Sequence, residues 1–329
     1  MRGDSGRNLK EKRNPLLLNP FHPPDPCEYI FSPVFPMKNS SLPIIGLVAG
    51  DPAGVGPELL SEALKQVPDG VRLEVIGDPS PRNPGQPDQE GSLRAIASLE
   101  EAARKAVAGN LAAVVTGPVN KRNLHEAGFV FPGQTEFFAA QAGIGNYAML
   151  LTGGPLTVAL VTAHVPLKMV SELLTISEIV RVGGLLADFL KRRGIAAPRI
   201  AVAGLNPHAG ENGDLGDEEE LIIAPALSLL RTANPGVSFS GPWSPDTIFW
   251  RSSQGEFDAV LCMYHDQGLI PLKLLGFHDG VNVTIGLPFI RTSPDHGTAY
   301  EIAGKGIARP DSFLSALRLA ASLVTGGKK

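Results

Sequence analysis

The chain has 329 residues, 43% hydrophobic and 19% charged, with a formal net charge of −4. Such a length and apolar content allow a substantial buried core in one large domain or two lobes, and the charge gives no electrostatic case for a nucleic-acid partner. The two cysteines, Cys27 and Cys262, form neither a spaced metal motif nor a disulfide framework, and no run of about 18 apolar residues reads as a membrane span, so a cytoplasmic protein in a reducing compartment is expected.

Residues 1–41 read as a disordered or loosely packed extension. Met1–Lys12 is polar and charged, Asn14–Pro36 is rich in proline, and Leu16–Leu18 is too short for a signal-peptide core. Met37, just ahead of the first strand, is a candidate start. From residue 42 to 329, apolar runs alternate with helical patterns. Pro43–Ala49, Arg72–Ile76, Leu111–Val115, Ala148–Leu151, Thr157–Thr162, Arg199–Gly204, Ala259–Met263 and Asn282–Leu287 read as strands. Helices are expected over Pro57–Gln66, Leu93–Ala108, from Glu136 to Gln141, over Ser177–Arg193, from Asp217 to about Leu230, and over Ser312–Val324. The acids Asp217–Glu220 fall where a helix dipole favours them. Asn83–Glu90 reads as a loop. Strands separated by helices predict a largely parallel α/β sheet.

Three of these strands end in a histidine: Thr157–Thr162 leads to His164, Arg199–Gly204 to His208, and Ala259–Met263 to His265, with Asp266 beside it. The carboxyl edge of a parallel sheet is where ligands bind. Taken singly, each histidine also fits a strand cap or a local hydrogen bond. Three together favour a borderline divalent cation with an open position, and Asp266 would orient or join the set. His22 and His125 read as surface groups, His278 as structural, and His296 stands in a polar turn that suits a cofactor.

The turn Asp51–Glu58 joins a strand to a helix and offers backbone N–H donors, but it fits neither GxGxxG nor a P-loop and reads equally as a structural turn. Lys273, Asn282, Arg291 and Thr135 are candidates to hold a phosphate and a carboxylate. Arg291 follows the apolar Gly286–Ile290 and would be an awkward charge to bury without such a partner.

The segments AGDPAGVGPEL (49–59), VTGPVNKRNLHEAG (115–128), PGQTEFFA (132–139), LVTAHVPL (160–167), LNPHAGENGDLGDEEE (205–220), SPDTIF (244–249), MYHDQGLIPLKLLGF (263–277) and GVNVTIGLPFIRTSPDHGTAYEIAGKG (280–306) resemble the 4-hydroxythreonine-4-phosphate dehydrogenase family of vitamin B6 synthesis. The resemblance runs from about Ile44 to Leu323. It implies a two-lobed α/β/α fold like that of isocitrate and isopropylmalate dehydrogenases, with a cleft between lobes, and a homodimer with shared active sites. It implies His164, His208 and His265 as ligands of one zinc, magnesium or cobalt ion, with His265 from the other subunit. Substrate would meet Gln134, Thr135, Asp246, Lys273, Asn282 and Arg291, with Asp266 also lining the site. NAD or NADP would lie on Thr292, Ser293, Pro294, Asp295, Gly297 and Thr298, in a loop that needs no GxGxxG. Two departures stand out: Gln134 replaces the histidine of PGHTEF, and Asp78–Ser92 is short.

The chemistry so implied is NAD(P)-dependent oxidation and decarboxylation of 4-phosphooxy-L-threonine to 3-amino-2-oxopropyl phosphate, with Lys273 as acid/base and Asp266 beside the metal. The rivals are a sister dehydrogenase of 4-phospho-threonate or 4-phospho-erythronate, a metal-dependent phosphatase or lyase without NAD, and a non-catalytic binding descendant.

Overall fold

The structure, a computed structural model, describes residues 42–326. The extension over 1–41, with Cys27, His22 and the candidate start at Met37, lies outside them. The first half of the chain folds as β1 (Ile44–Val48), α1 (Gly56–Leu64), β2 (Arg72–Val75), α2 (Gln89–Val107), β3 (Ala113–Thr116), α3 (Lys121–Glu126), α4 (Gln134–Gln141), β4 (Ala148–Gly153) and β5 (Leu156–Leu160). There follow α5 (Val170–Leu173), α6 (Ile176–Arg192), β6 (Arg199–Ala203), α7 (Ala224–Ala233), β7 (Ser238–Trp243), α8 (Pro245–Ser253), β8 (Ala259–Cys262), α9 (His265–Leu275), β9 (Val281–Ile285), β10 (Ile290–Pro294) and α10 (Asp311–Val324). The short stretch the sequence flagged is the loop from Gly77 to Asp88, whose last carboxylate caps α2 by accepting from the Gly91 N–H at 2.7 Å.

All ten strands form one sheet in the order β2-β1-β3-β10-β9-β4-β5-β8-β6-β7. The outer strands pair in parallel, but β10/β9, β9/β4 and β4/β5 are antiparallel. The expectation of a largely parallel sheet therefore holds for the flanks and fails at the centre. The cause is connection length. Only Gly154 and Pro155 separate the paired residues Gly153 and Leu156, and only residues 286–289 separate β9 from β10. A parallel crossover needs a dozen residues or more; a hairpin needs two.

Side chains alternate across the sheet, and the two faces have different covers. Ile45, Leu47, Leu150, Val283 and Ile290 meet α1, α6, α7 and α10 through Leu59, Val182, Leu186, Leu227, Phe313 and Leu317 in one continuous core. On the opposite face the cover is split. Val48 and Val114 pack with Leu99, Phe137 and Phe138 of α2 and α4. Val158, Leu160 and Val260 pack with Ile248, Leu269 and Leu272 of α8 and α9. Between these two groups the face of β10, β9 and β4 is left open, and this gap is the cleft of the two-lobed α/β/α body.

Candidate active site

The sheet register decides which side chains reach the cleft. Arg291 lies opposite Thr284, Ser293 opposite Asn282, and Met149 opposite Thr284, so all five project to the same open face. Over them sits the first turn of α4, and α4 is held by its core residues: Phe137 and Phe138 are fully buried. Each is worth roughly 2–3 kcal/mol on burial, against ~1 kcal/mol net for one hydrogen bond. Packing therefore sets the place of α4, and Gln134 and Thr135 are carried to the cleft with it. The cavity measures about 410 Å³ and includes Gln134, Thr135, His164, His265, Lys273, Asn282 and Arg291 in its wall.

Arg291 is 3% exposed. Its Nη2 donates to Thr116 Oγ1 at 2.9 Å and to Gln134 Oε1 at 3.0 Å, and Nη1 to Thr284 Oγ1 at 3.4 Å. All three partners are neutral, and its buried Nε has no partner. Burial pushes the guanidinium down to about 10, with Glu136 opposing the shift, so it stays charged at neutral pH. The buried Asn282 Oδ1 is likewise unpartnered. A buried cation with neutral partners and an idle donor is incomplete without an anion. Gln134 also donates from Nε2 to the Gly117 carbonyl at 3.2 Å, and Thr135 Oγ1 lies 3.3 Å from Thr284 Oγ1.

His164 and His265 meet at the other end, their ring centroids 5.4 Å apart. Partial burial is the first cause that lowers the His164 pKa, and Lys121 and His265 add to it. That favours the neutral imidazole a metal ligand needs. His265 Nδ1 lies 2.7 Å from Asp266 Oδ1. This partner fixes the proton on Nδ1 and leaves the Nε2 lone pair free, as a carboxylate-supported metal ligand requires. His208 stands apart from both. It opens a left-handed turn, His208–Asn212, with φ between 44° and 80°, and its Nδ1 lies 3.9 Å from Asp246 Oδ2. Among the described residues no three His, Cys, Asp or Glu side chains are grouped to hold a metal ion. The resemblance implied His265 from the other subunit; here His265 stands beside His164 of its own chain, and His208 and Asp246 are the group outside the cleft wall. The turn is tied down by Glu219, which is 6% exposed and accepts from the Leu205 N–H at 2.7 Å, the Asn206 N–H at 2.8 Å and Asn206 Nδ2 at 2.9 Å. The expected helix from Asp217 is therefore a wide π-type turn, Glu219–Ile223, leading into α7.

Lys273 Nζ pairs with Asp295 Oδ2 at 2.8 Å, inside the cavity wall. Of the residues expected to hold the nicotinamide cofactor, Ser293, Pro294, Asp295 and Gly297 line the cleft, and so does His296. Thr292 does not: as the strand neighbour of Arg291 it points to the other face, where its hydroxyl donates to the Ala316 carbonyl of α10 at 2.9 Å. Thr298 is 7% exposed and its carbonyl accepts from the Val55 N–H at 2.9 Å, so it joins the Asp51–Glu58 turn to this loop. Asp51 Oδ1 accepts from the Ala53 N–H at 2.9 Å, which supports the structural reading of that turn. Sequence reasoning missed Lys121 and Glu136 in the cleft wall and Thr116, the buried acceptor of Arg291 Nη2. Thr116 could have been found as the last residue of an apolar strand; Lys121 and Glu136 carry no local signal.

A three-layer α/β/α body with a buried, anion-seeking arginine and paired imidazoles in one cleft defines an enzyme for a small anionic substrate. The profile of the family described as pyridoxal phosphate biosynthetic protein PdxA matches residues 57–320, and the chain belongs to that family. It is 44% identical over 322 residues to a 4-hydroxythreonine-4-phosphate dehydrogenase of Desulfosudis oleivorans, covering 84% of this chain and 95% of the relative. It is 39% identical over 324 residues to a D-threonate 4-phosphate dehydrogenase of Pectobacterium atrosepticum, covering 85% and 99%. The crystal structure of 4-hydroxythreonine-4-phosphate dehydrogenase from Klebsiella pneumoniae superimposes with a TM-score of 0.72 at 38% identity, covering 86% and 99%. An isocitrate dehydrogenase of Methylococcus capsulatus, at 15% identity and a TM-score of 0.52 over 86% of this chain and 88% of that one, shares the fold alone. No helix among the described residues is long and apolar enough to cross a membrane.

Proposed function

We propose that the protein oxidises and decarboxylates 4-phosphooxy-L-threonine with NAD or NADP, giving 3-amino-2-oxopropyl phosphate for pyridoxal phosphate synthesis, and that it works as a homodimer in the cytoplasm. The observation that carries this is Arg291, a buried guanidinium with neutral partners and an unspent Nε, in one cavity with His164 and His265. The phosphate lies against Arg291, Thr135 and the first turn of α4, where helix N–H groups favour an anion. Gln134, spent on Arg291 and Gly117, contributes by holding the guanidinium in place.

His164 and His265 of one chain and His208 of a second would hold one zinc, magnesium or cobalt ion. Support for the second copy comes from α9, where Asp266, Ile270 and Leu274 share one face by helical spacing and the last two are 66% and 82% exposed. When bound, the cation would supply Lewis acidity at the C3 hydroxyl and the nicotinamide would supply a hydride acceptor. The chain's own groups do the rest. Ser293, Pro294, Asp295, Gly297 and Thr298 form the loop against which the nicotinamide cofactor lies. Asn282 offers its idle Oδ1 to a substrate donor. Lys273, set by Asp295, moves the proton at the carbon that loses carboxylate. Asp266 keeps His265 in its ligand tautomer.

The Pectobacterium relative's name makes 4-phospho-D-threonate the nearest rival substrate, since it differs at one donor group that Asn282 would accept equally. Purified protein with NAD or NADP is assayed at 340 nm on both substrates, with and without a chelator. Faster turnover of 4-phosphooxy-L-threonine, lost on chelation and restored by a divalent ion, is the expected result. Absence of nucleotide reduction with either substrate would sink the dehydrogenase reading, and phosphate release alone would establish the phosphatase rival.

A further inference from the structure

One cation in the cleft has no task in the reading above. Lys121 is the first residue of α3, and it shares the cavity wall with Arg291, Gln134 and Thr135. A Cβ placed on Gly133 would stand 3.4 Å from its Cε and 3.5 Å from its Nζ, so the ammonium lies against the N-terminus of α4. Among the described residues Lys121 enters no ion pair, whereas Lys273 is spent on Asp295.

We propose that Lys121 is the second cation of the phosphate cradle and grips the phosphoryl oxygens together with Arg291. The inference rests on the phosphorylated-substrate reading and deepens it. Its ground is charge. A phosphate monoester brings about −1.5 to −2 charges at neutral pH. Arg291 offers one positive charge, Gln134 carries none, and Glu136 beside Gly133 brings one negative charge to the same end. Without Lys121 the formal side-chain charge there is zero, and the dianion would face Glu136 with only the partial charge of the α4 terminus left over. A lysine suits the place: its compact charge on a flexible stem reaches a phosphate without the fixed fork that a buried arginine needs.

The test uses the full chain and the variants Lys121→Met and Lys121→Arg. Two readouts are taken: the Kd for inorganic phosphate in the absence of nucleotide, by titration calorimetry, and the steady-state kcat and KM for 4-phosphooxy-L-threonine. Losing a charge-assisted bond is expected to weaken phosphate binding and raise KM by about 10- to 100-fold in Lys121→Met. The value of kcat should stay within a few-fold, and Lys121→Arg should recover most of the loss. Should Lys121→Met fail to fold, as judged by its thermal melt, Lys121→Gln replaces it under the same criteria. Unchanged phosphate affinity and KM would overturn the proposal, as would a collapse of kcat alone, which would place Lys121 in the chemistry. The two readings fail separately. If 4-phosphooxy-L-threonine is not turned over but phosphate still binds through Lys121, the cradle stands and the substrate falls.

Discussion

Arg291, in the cleft, is 3% exposed and held by three side chains of its own chain; His208, outside the cleft wall, has a side chain 60% exposed, with Asp246 its neighbour at 3.9 Å. The Arg291 cluster stands on adjacent strands and on a helix anchored by two buried phenylalanines, so one chain builds it. The three histidines follow three different strands, His164 and His208 in irregular turns and His265 as the first residue of α9, and one chain brings only His164 and His265 together. Groups that must be buried are organised by the fold itself. Exposed groups outside the sheet are not brought together by the same packing.

Subunit mixing breaks or confirms this contrast with the largest effect. His164→Ala, His208→Ala and Arg291→Ala should each lose turnover by at least ~10²-fold. In the dimer proposed above, mixing His164→Ala with His208→Ala should restore activity, because one of the two sites would then be whole. Mixed dimers of His164→Ala with Arg291→Ala should not, because both residues serve the same chain's half. Rescue in the second mixture, or none in the first, refutes the division.

A smaller effect sharpens it. Glu219→Ala leaves the Leu205 and Asn206 N–H groups without their acceptor and should cost about 2–4 kcal/mol in urea unfolding. In the surviving folded enzyme, metal affinity should fall more than phosphate affinity, since Glu219 ties down the turn of His208 and lies away from Arg291. Equal loss of both would mean that the two regions are not independent.

The smallest effect concerns Thr292. Thr292→Val removes its bond to Ala316 and should cost ~1 kcal/mol of stability, with the KM for the nicotinamide cofactor unchanged. A raised KM would restore Thr292 to the cofactor site.

The sequence made the flanks of the sheet legible, since β1, β3, β6 and β8 are apolar runs bounded by turns. The antiparallel centre is not carried by apolar runs; it follows from the connections over 154–155 and 286–289, both too short for a crossover. β10 has no strand signature because Arg291, Thr292 and Ser293 interrupt an apolar pattern; their strand alternates a cleft face with a helix-covered face, both of which accept polar groups. α9 was not read as a helix because Gly268 and Pro271 lie inside it. Arg291 was found for a sound reason, its awkward charge. Lys121 and Glu136 were missed because nothing local marks a charged residue as facing a cleft; the approach of α3 to Gly133 is a tertiary fact.

The left-handed turn at His208–Asn212 restricts its own sequence independently of any contact it makes. Four of its five residues are not glycine, and each sits in a conformation that costs an L-amino acid about 1–2 kcal/mol. β-Branched side chains are barred there by backbone sterics alone. Which residues can be exchanged along this stretch is thus governed by chirality, so intolerance at 209, 211 or 212 would report the hand of the coil and say nothing about ligands.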